Sequence, residues 1–431
     1  MWVGMVRGIL SLVSSTRRSR AVPWTKTRDT QDVTIPSSRS HTPGKPVADG
    51  LPARLLAVIV ALAMIGVPSV SMSGEGPRAS ADAPSAPPAS ASAPRDAGKH
   101  AGIEVDTRNL PVPPPGVSTV MLTPPGAIPP RPSPGDWEHD GAFRLLCNWS
   151  KMSFDDPIVF PGQPGKSHHH TFFGNTAVDA YTTSENIRSR GKASCRGGTI
   201  NLSGYWVPTM VDTSTHKPVV PKALLIYYKT GLWPYMNDGS IMQPLPKGLK
   251  MIAGEATRAT PGGRGSFACL TMATGSNRSN TGDGESIPTK CVPGEDDMRM
   301  AIPFPQCWDG KNLDSPDHKS HMAYPELNTV PGGWTAERQY RCPRTHPVVL
   351  PEISFIVEYD VTPTSNPKTW RLASDTYDTG KPGGYSRHGD WINGWDPDIS
   401  DLWGVKCLRE RRDCGSANMG DGRSTMEFQG N

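Results

Sequence analysis

The chain has 431 residues, with 45 Lys and Arg against 41 Asp and Glu, a formal net charge of +4. Nine basic and three acidic residues fall in 1–54, a net +6, which leaves 36 basic against 38 acidic, or −2, in the remainder. A near-neutral body has no electrostatic footprint for nucleic acid, so no nucleic-acid partner is expected.

Residues 1–54 are basic and show no sustained periodicity, and they read as a disordered leader. The run from Leu55 to Val70 holds about sixteen largely apolar residues, short of the roughly 20 that span a bilayer. Arg54 before it and small residues after it suit the h-region of a signal peptide over 55–71, with cleavage after Ser71 or after Ala81. The alternative is an uncleaved anchor with the basic leader inside, as the positive-inside rule favours. In both cases the protein is expected to be secreted or extracellular, anchored to the cell surface in the second, and the membrane is met only through that N-terminal anchor. Residues 72–135 are rich in Pro, Ala, Ser and Gly, as in Pro111-Val112-Pro113-Pro114-Pro115-Gly116. Such a segment buries no core and reads as a linker.

From residue 136 to 431 the texture changes. Ten of the twelve Trp and all eight Cys lie here, in a stretch long enough for one large domain with its own core. Helical periodicity is scarce, and apolar runs are short and bounded by Pro or Gly. Examples are Gly204-Tyr205-Trp206-Val207-Pro208 and Ala223-Leu224-Leu225-Ile226-Tyr227-Tyr228. The run Ile353–Asp360 puts Phe355, Val357 and Tyr359 on one face and Ile356 and Glu358 on the other, the period of a half-buried strand. The expected fold is mainly β: a single large β-sandwich or jelly-roll-like domain with long loops pinned by disulfides. No cysteines form a Cys-x-x-Cys pair, so a zinc knuckle is not expected. An even number behind an export signal reads as four disulfides. Neighbour pairing (147–195, 269–291, 307–342, 407–414) is the expected connectivity, because short loops close at least entropic cost.

Seven of the eight histidines from 168 onward fall in four clusters. The first is Ser167-His168-His169-His170-Thr171-Phe172-Phe173. The second ends in Asp309 and Asp317-His318-Lys319-Ser320-His321, the third contains His346, and the fourth is Arg387-His388-Gly389-Asp390-Trp391. In an extended segment His168 and His170 share a face and His169 points away. Imidazole ligates metals or moves protons near neutral pH, and a carboxylate can orient it or complete a shell. The candidate metal ligands are therefore His168, His170, His321 and His388, for a divalent transition metal. Asp309, Asp317, His318 and Asp390 join them as candidate catalytic groups. The plainer alternatives are a hydrogen-bonded pair for His168 and His170, a short helix start at Asp317, a loop anchor for His346, and core packing for the tryptophans.

These clusters resemble a family of secreted fungal and bacterial proteins, domain of unknown function nineteen-ninety-six. The resemblance is carried by Asp156-Pro157-Ile158-Val159, Ser167-His168-x-His170, Cys307-Trp308-Asp309-Gly310, Ser315-Pro316-Asp317-His318-Lys319-Ser320-His321 and His388-Gly389-Asp390-x-x-Asn393-Gly394-Trp395. It spans about 140–400 and implies no established reaction. It implies an extracellular setting and a carbohydrate-rich partner, such as a cell-wall or environmental polysaccharide. The expected function is a metal-dependent or His/Asp acid–base hydrolase or lyase acting on extracellular polysaccharide. The second reading is a non-catalytic cell-wall or glycan-binding module that uses exposed aromatic faces.

Overall fold

The computed structural model describes residues 102–128, 141–236, 238–278, 284–328, 339–415 and 418–427. The expected leader, the signal or anchor and the first part of the expected linker lie outside the described residues. Two antiparallel sheets organise the rest. In chain order their strands are β1 (Ala142–Cys147), β2 (Trp149–Ser153), β3 (His170–Gly174), β4 (Gly204–Pro208), β5 (Ala223–Lys229) and β6 (Lys250–Gly254). There follow β7 (Ser266–Thr271), β8 (Ser276–Asn277), β9 (Asp296–Pro303), β10 (Glu352–Asp360) and β11 (His388–Ile392).

The larger sheet has the order β1–β5–β10–β9–β7–β8 and the smaller β2–β3–β4–β11–β6. Period-2 alternation decides what each strand buries. Along β10, Phe355, Val357 and Tyr359 are fully buried while Ile356 and Glu358 are half-buried. The two sheets pack through such inward residues: Tyr205 of β4 meets Phe355 edge-on with centroids 5.6 Å apart. A buried polar chain crosses the same interface. Asn201 Nδ2 donates to Tyr205 Oη at 2.8 Å, Tyr205 and Tyr228 share a hydrogen bond of 2.8 Å, and Trp395 Nε1 donates to Tyr228 Oη at 2.8 Å. Leaving one of these groups unpaired would cost about 1–3 kcal/mol. The one α-helix among the described residues, α1 (Pro397–Trp403), starts with Pro397, whose missing N–H is harmless in a first turn. Its Trp403 stacks on Phe143 at 5.2 Å.

Four disulfides join Cys147–Cys195, Cys269–Cys291, Cys307–Cys342 and Cys407–Cys414, the neighbour pairing. They are the bonds of a protein from an oxidising compartment. Among the described residues no helix is long and apolar enough to cross a membrane.

Part of the Pro-rich segment expected as a linker, 72–135, is docked on the domain. The docked part is residues 102–128. Ile103 N donates to Ala373 O at 2.9 Å, Val117 bridges to Ala193 and Val120 to Gly198, and Leu122 bridges to Thr425. Val105 is buried with Val211 and Ala373. A Pro-rich segment makes no core of its own, but its free carbonyls and amides can pair with an existing surface.

Candidate metal centre

The outer face of the smaller sheet, turned away from the sandwich core, carries the site. On β3, Phe173 belongs to the main core, while Phe172 packs outward with Trp206, Ile158, Val178, Ile187 and Ile392. His170 lies two residues before Phe172 and shares its outward face, and His168 continues the same period. On β11, Trp391 faces the core and His388, Asp390 and Ile392 face outward. β4 runs between the two, with His170 opposite Pro208 and Asp390 opposite Trp206. Continuing that register sets His388 on the other side of Pro208. Two residues back on the same face, Trp206 stacks on Phe172, with ring centroids 5.6 Å apart.

The rings of His168 and His170 are 4.3 Å apart, those of His168 and His388 4.9 Å, and those of His170 and His388 5.8 Å. One nitrogen from each of the three lies within 4.8 Å of the others. His169 points away, with Nδ1 2.9 Å from Thr209 Oγ1 and its ring edge-on to Phe154.

Protonation follows from the partners. His170 Nδ1 lies 2.9 Å from Asp155 O, and His388 Nδ1 lies 2.8 Å from Ser386 O. A carbonyl only accepts, so each Nδ1 carries the proton and each neutral ring offers a bare lone pair at Nε2. His170 Nε2 is buried with no hydrogen-bond partner among the described residues. His168 Nε2 sits 3.1 Å from His388 Nε2. Without a metal His168 fills the gap by donating Nε2–H to His388, and it can ligate only after moving that proton to Nδ1. Two nitrogens bound tetrahedrally at about 2.0–2.1 Å from a zinc ion stand roughly 3.3 Å apart, close to this separation. The carbonyl partners of Nδ1 are the outer-shell acceptors that metal-bound histidines ordinarily have.

Burial and the neighbouring imidazoles push His168 well below the ordinary histidine value, and burial and His388 do the same for His170. Burial takes His388 down to about 4, against the bond to the Ser386 carbonyl. All three are therefore neutral at pH 7, the state that ligation needs. Asp390 is buried, its Oδ2 lies 3.8 Å from His388 Nε2, and that oxygen has no hydrogen-bond partner among the described residues. Burial and the nearby Asp156 push it well above the carboxylate range. Asp156 is buried too and is pushed up to about 6, although Ile158 N and Val159 N donate to its Oδ1.

A cavity of about 320 Å³ opens onto His168, His388, Asp390 and Asp156. Gly102, Phe160, Lys319 and Ser374 also line it. Gly102 belongs to the docked strap formed by residues 102–128, and a Cβ there would stand 2.7 Å from His168 Cβ. Asp375 positions the floor: its buried carboxylate accepts from Leu372 N, Gly384 N and Ser386 Oγ, which holds the turn presenting the Ser386 carbonyl. Asp156 was legible as part of a motif, Gly102 and Asp375 carried no local signal, and Lys319 sits within the Asp-His-Lys-Ser-His block.

The other sequence candidates are not brought to this cluster. His321 is buried elsewhere, with Nδ1 2.9 Å from Ser315 Oγ and Nε2 2.7 Å from Lys250 O, so both ring nitrogens are engaged. His318 pairs through Nδ1 with Asp314 at 2.9 Å. Asp317 Oδ1 accepts from Ser315 Oγ, Ser320 N and Ser320 Oγ. Asp309 accepts from Lys311 N and Asn312 N in an exposed turn. His346 bridges Thr345 Oγ1 and Ser320 O.

The family model for the domain of unknown function DUF1996 matches residues 156–395. The chain belongs to that family. The match takes in all three clustered histidines and Asp390, together with Asp156 at its first residue. No curated protein and no solved structure matches the chain.

Proposed function

We propose that this DUF1996 protein is an extracellular metal-dependent hydrolase or lyase, centred on His168, His170 and His388 with Asp390 as a fourth donor, and that its substrate is a polysaccharide. The observation that carries the reading is the pair of lone pairs at His170 Nε2 and His388 Nε2, fixed by carbonyl acceptors behind them and facing a third imidazole. Buried polar groups in native proteins are nearly always paired, and a bound cation would satisfy His170 Nε2 and Asp390 Oδ2 together. A bound divalent ion supplies Lewis-acid polarisation of a substrate oxygen and activation of water. Around it, the Asp375-pinned turn would hold His388 in its Nδ1–H tautomer. Lys319 offers a cation at the cavity wall. Asp156, at about 6, is poised to exchange a proton near neutral pH.

The glycan-stacking module is less well supported, because Trp206, Trp391, Trp395 and Trp403 are fully buried and present no face to a sugar, which leaves Tyr181 and Tyr235 as the large exposed aromatics among the described residues. An oxidising compartment, to which the four disulfides belong, agrees with an extracellular enzyme.

The test is metal content and titration of the chelated full chain with Zn²⁺, Cu²⁺ and Mn²⁺. One equivalent is expected to bind, His170→Ala and His388→Ala each to weaken it at least 100-fold, and Asp390→Asn about tenfold. Product release from cell-wall polysaccharides is expected to stop on chelation and return with metal. Equal metal binding by wild type and His388→Ala would overturn the centre. Glycan retention without turnover by metal-free protein would favour the binding module.

A further inference from the structure

Beside the histidine cavity, and separated from it by one turn of chain, lies a second cavity of about 350 Å³. Residues 254–258 form the partition: Ala256 and Thr257 line the first cavity, and Gly254, Glu255 and Arg258 line the second. The start of β11 divides likewise, with His388 lining the first cavity and Arg387, just before the strand, lining the second. Lys319, on the histidine side, donates Nζ to Gly254 O at 2.8 Å and so ties the two walls together.

The second cavity is cationic, with Arg258, Arg264 and Arg387 in its lining against the single carboxylate of Glu255. Arg387 is committed to the scaffold, donating from Nη1 to Glu285 O and Gly384 O and from Nη2 to Gly262 O and Gly265 O. Arg258 pairs with Glu255 through Nη2 at 2.9 Å, and its Nε is buried with no hydrogen-bond partner among the described residues. Arg264 makes no hydrogen bond or ion pair among the described residues. Its guanidinium carbon lies over the face of the Tyr324 ring, 3.8 Å from the centroid. Tyr324 is itself fixed, its hydroxyl donating to Pro303 O at 2.9 Å. A guanidinium held by its face has its N–H edge free, and that planar fork matches a carboxylate or a sulfate in two parallel bonds. Gly265, next in the chain to Arg264, lines a third hollow of about 430 Å³ together with Tyr227 and Ser354.

We infer that the Arg258–Arg264 cavity is a subsite for an anionic substituent of the substrate, a carboxylate or sulfate ester on a sugar next to the one at the histidine centre, and that the substrate is therefore an acidic polysaccharide. This rests on the proposed enzymatic reading for its orientation, but its binding test does not.

The full chain, disulfides intact and metal removed by chelation, is titrated with tetragalacturonate, with a sulfated galactotetraose and with uncharged galactotetraose. At least one charged probe is expected to bind, at least tenfold tighter than the uncharged one, and to weaken as salt rises. Arg264→Gln and Arg258→Gln are each expected to lose at least tenfold in that affinity, and Arg264→Lys most of it, since an ammonium keeps the charge without the fork. The charged probe that binds tighter tells carboxylate from sulfate. Equal binding of charged and uncharged probes, or unchanged affinity in both Gln variants with the wild-type melting temperature, would overturn the subsite. Charged-probe binding that needs Arg264 in a chain that takes up no metal would remove the metal centre and leave the subsite standing.

Discussion

His321 and His388 look alike in the sequence, each within four residues of an Asp and each a candidate ligand, and the structure separates them by what their second nitrogen does. His388 spends Nδ1 on a carbonyl and keeps Nε2 for the cluster, whereas His321 spends both, one on Ser315 Oγ and one on Lys250 O. His321→Ala is therefore expected to lower stability by about 1–3 kcal/mol, from the polar groups left unpaired. Metal stoichiometry is expected to stay at the wild-type value, which denaturant titration and metal analysis on one preparation will check. Asp317 makes a second case. Hydrogen bonds from Ser320 N, Ser315 Oγ and Ser320 Oγ hold its carboxyl well below the usual carboxylate range. A group with a depressed folded pKa adds stability above its unfolded value of about 3.9 and loses it as pH falls through the folded value. Asp317→Asn is expected to be less stable than wild type at pH 7, the gap closing progressively below about pH 4. A gap that stayed constant from pH 7 to pH 2 would show that the charge contributes nothing. These outcomes were not legible in the sequence, because a ring's spare nitrogen depends on which carbonyl the fold brings behind it.

The strand elements were legible. Alternation along Ile353–Asp360 predicts its buried face, and the face argument separates His169 from His168 and His170 because both depend only on a two-residue period. Which strands become neighbours is another matter. His168 and His388 are 220 positions apart, and their meeting depends on β4 lying between β3 and β11, an order that no local pattern encodes. The docking of the strap at 102–128 was not legible for the same reason: a Pro-rich composition forbids a core of its own but is silent on docking to a finished surface. Gly102 tests the strap. It has a φ of +135°, and a Cβ would stand 2.5 Å from Ala373 O as well as against His168. Strain of this kind costs about 1–3 kcal/mol, and here it can be relieved by lifting the strap or turning His168. Gly102→Ala is expected to weaken metal binding at least tenfold with little change in the global unfolding midpoint. Equal affinity would mean that His168 is not held by the strap.

At the scale of the molecule, the site is stitched together by covalent closure as well as by packing. Cys147–Cys195 encloses a loop of 48 residues that carries β2, β3, His168 and His170, while Cys407–Cys414 closes only 7. In the chain-entropy picture the cost lifted from folding grows with the logarithm of the loop, about 4 kcal/mol for the first bond and about 2 kcal/mol for the second. The two bonds also differ in what they border. Cys147 ends β1 in the larger sheet and Asn148 leads directly into β2 of the smaller, so the first disulfide sits where the chain passes between sheets. Cys195 closes the segment that covers the outward face of β3, through the bond from Ser194 N to Gly174 O. Replacing Cys147 and Cys195 together by Ser is expected to lower unfolding free energy by about 4 kcal/mol and metal affinity by at least tenfold. Replacing Cys407 and Cys414 is expected to cost about 2 kcal/mol and leave metal affinity unchanged. Denaturant melts and metal titrations on both double variants measure the two quantities independently. Equal loss of affinity in both would mean that the histidine pair responds to global stability alone, and that the 147–195 loop confers no order of its own on the centre.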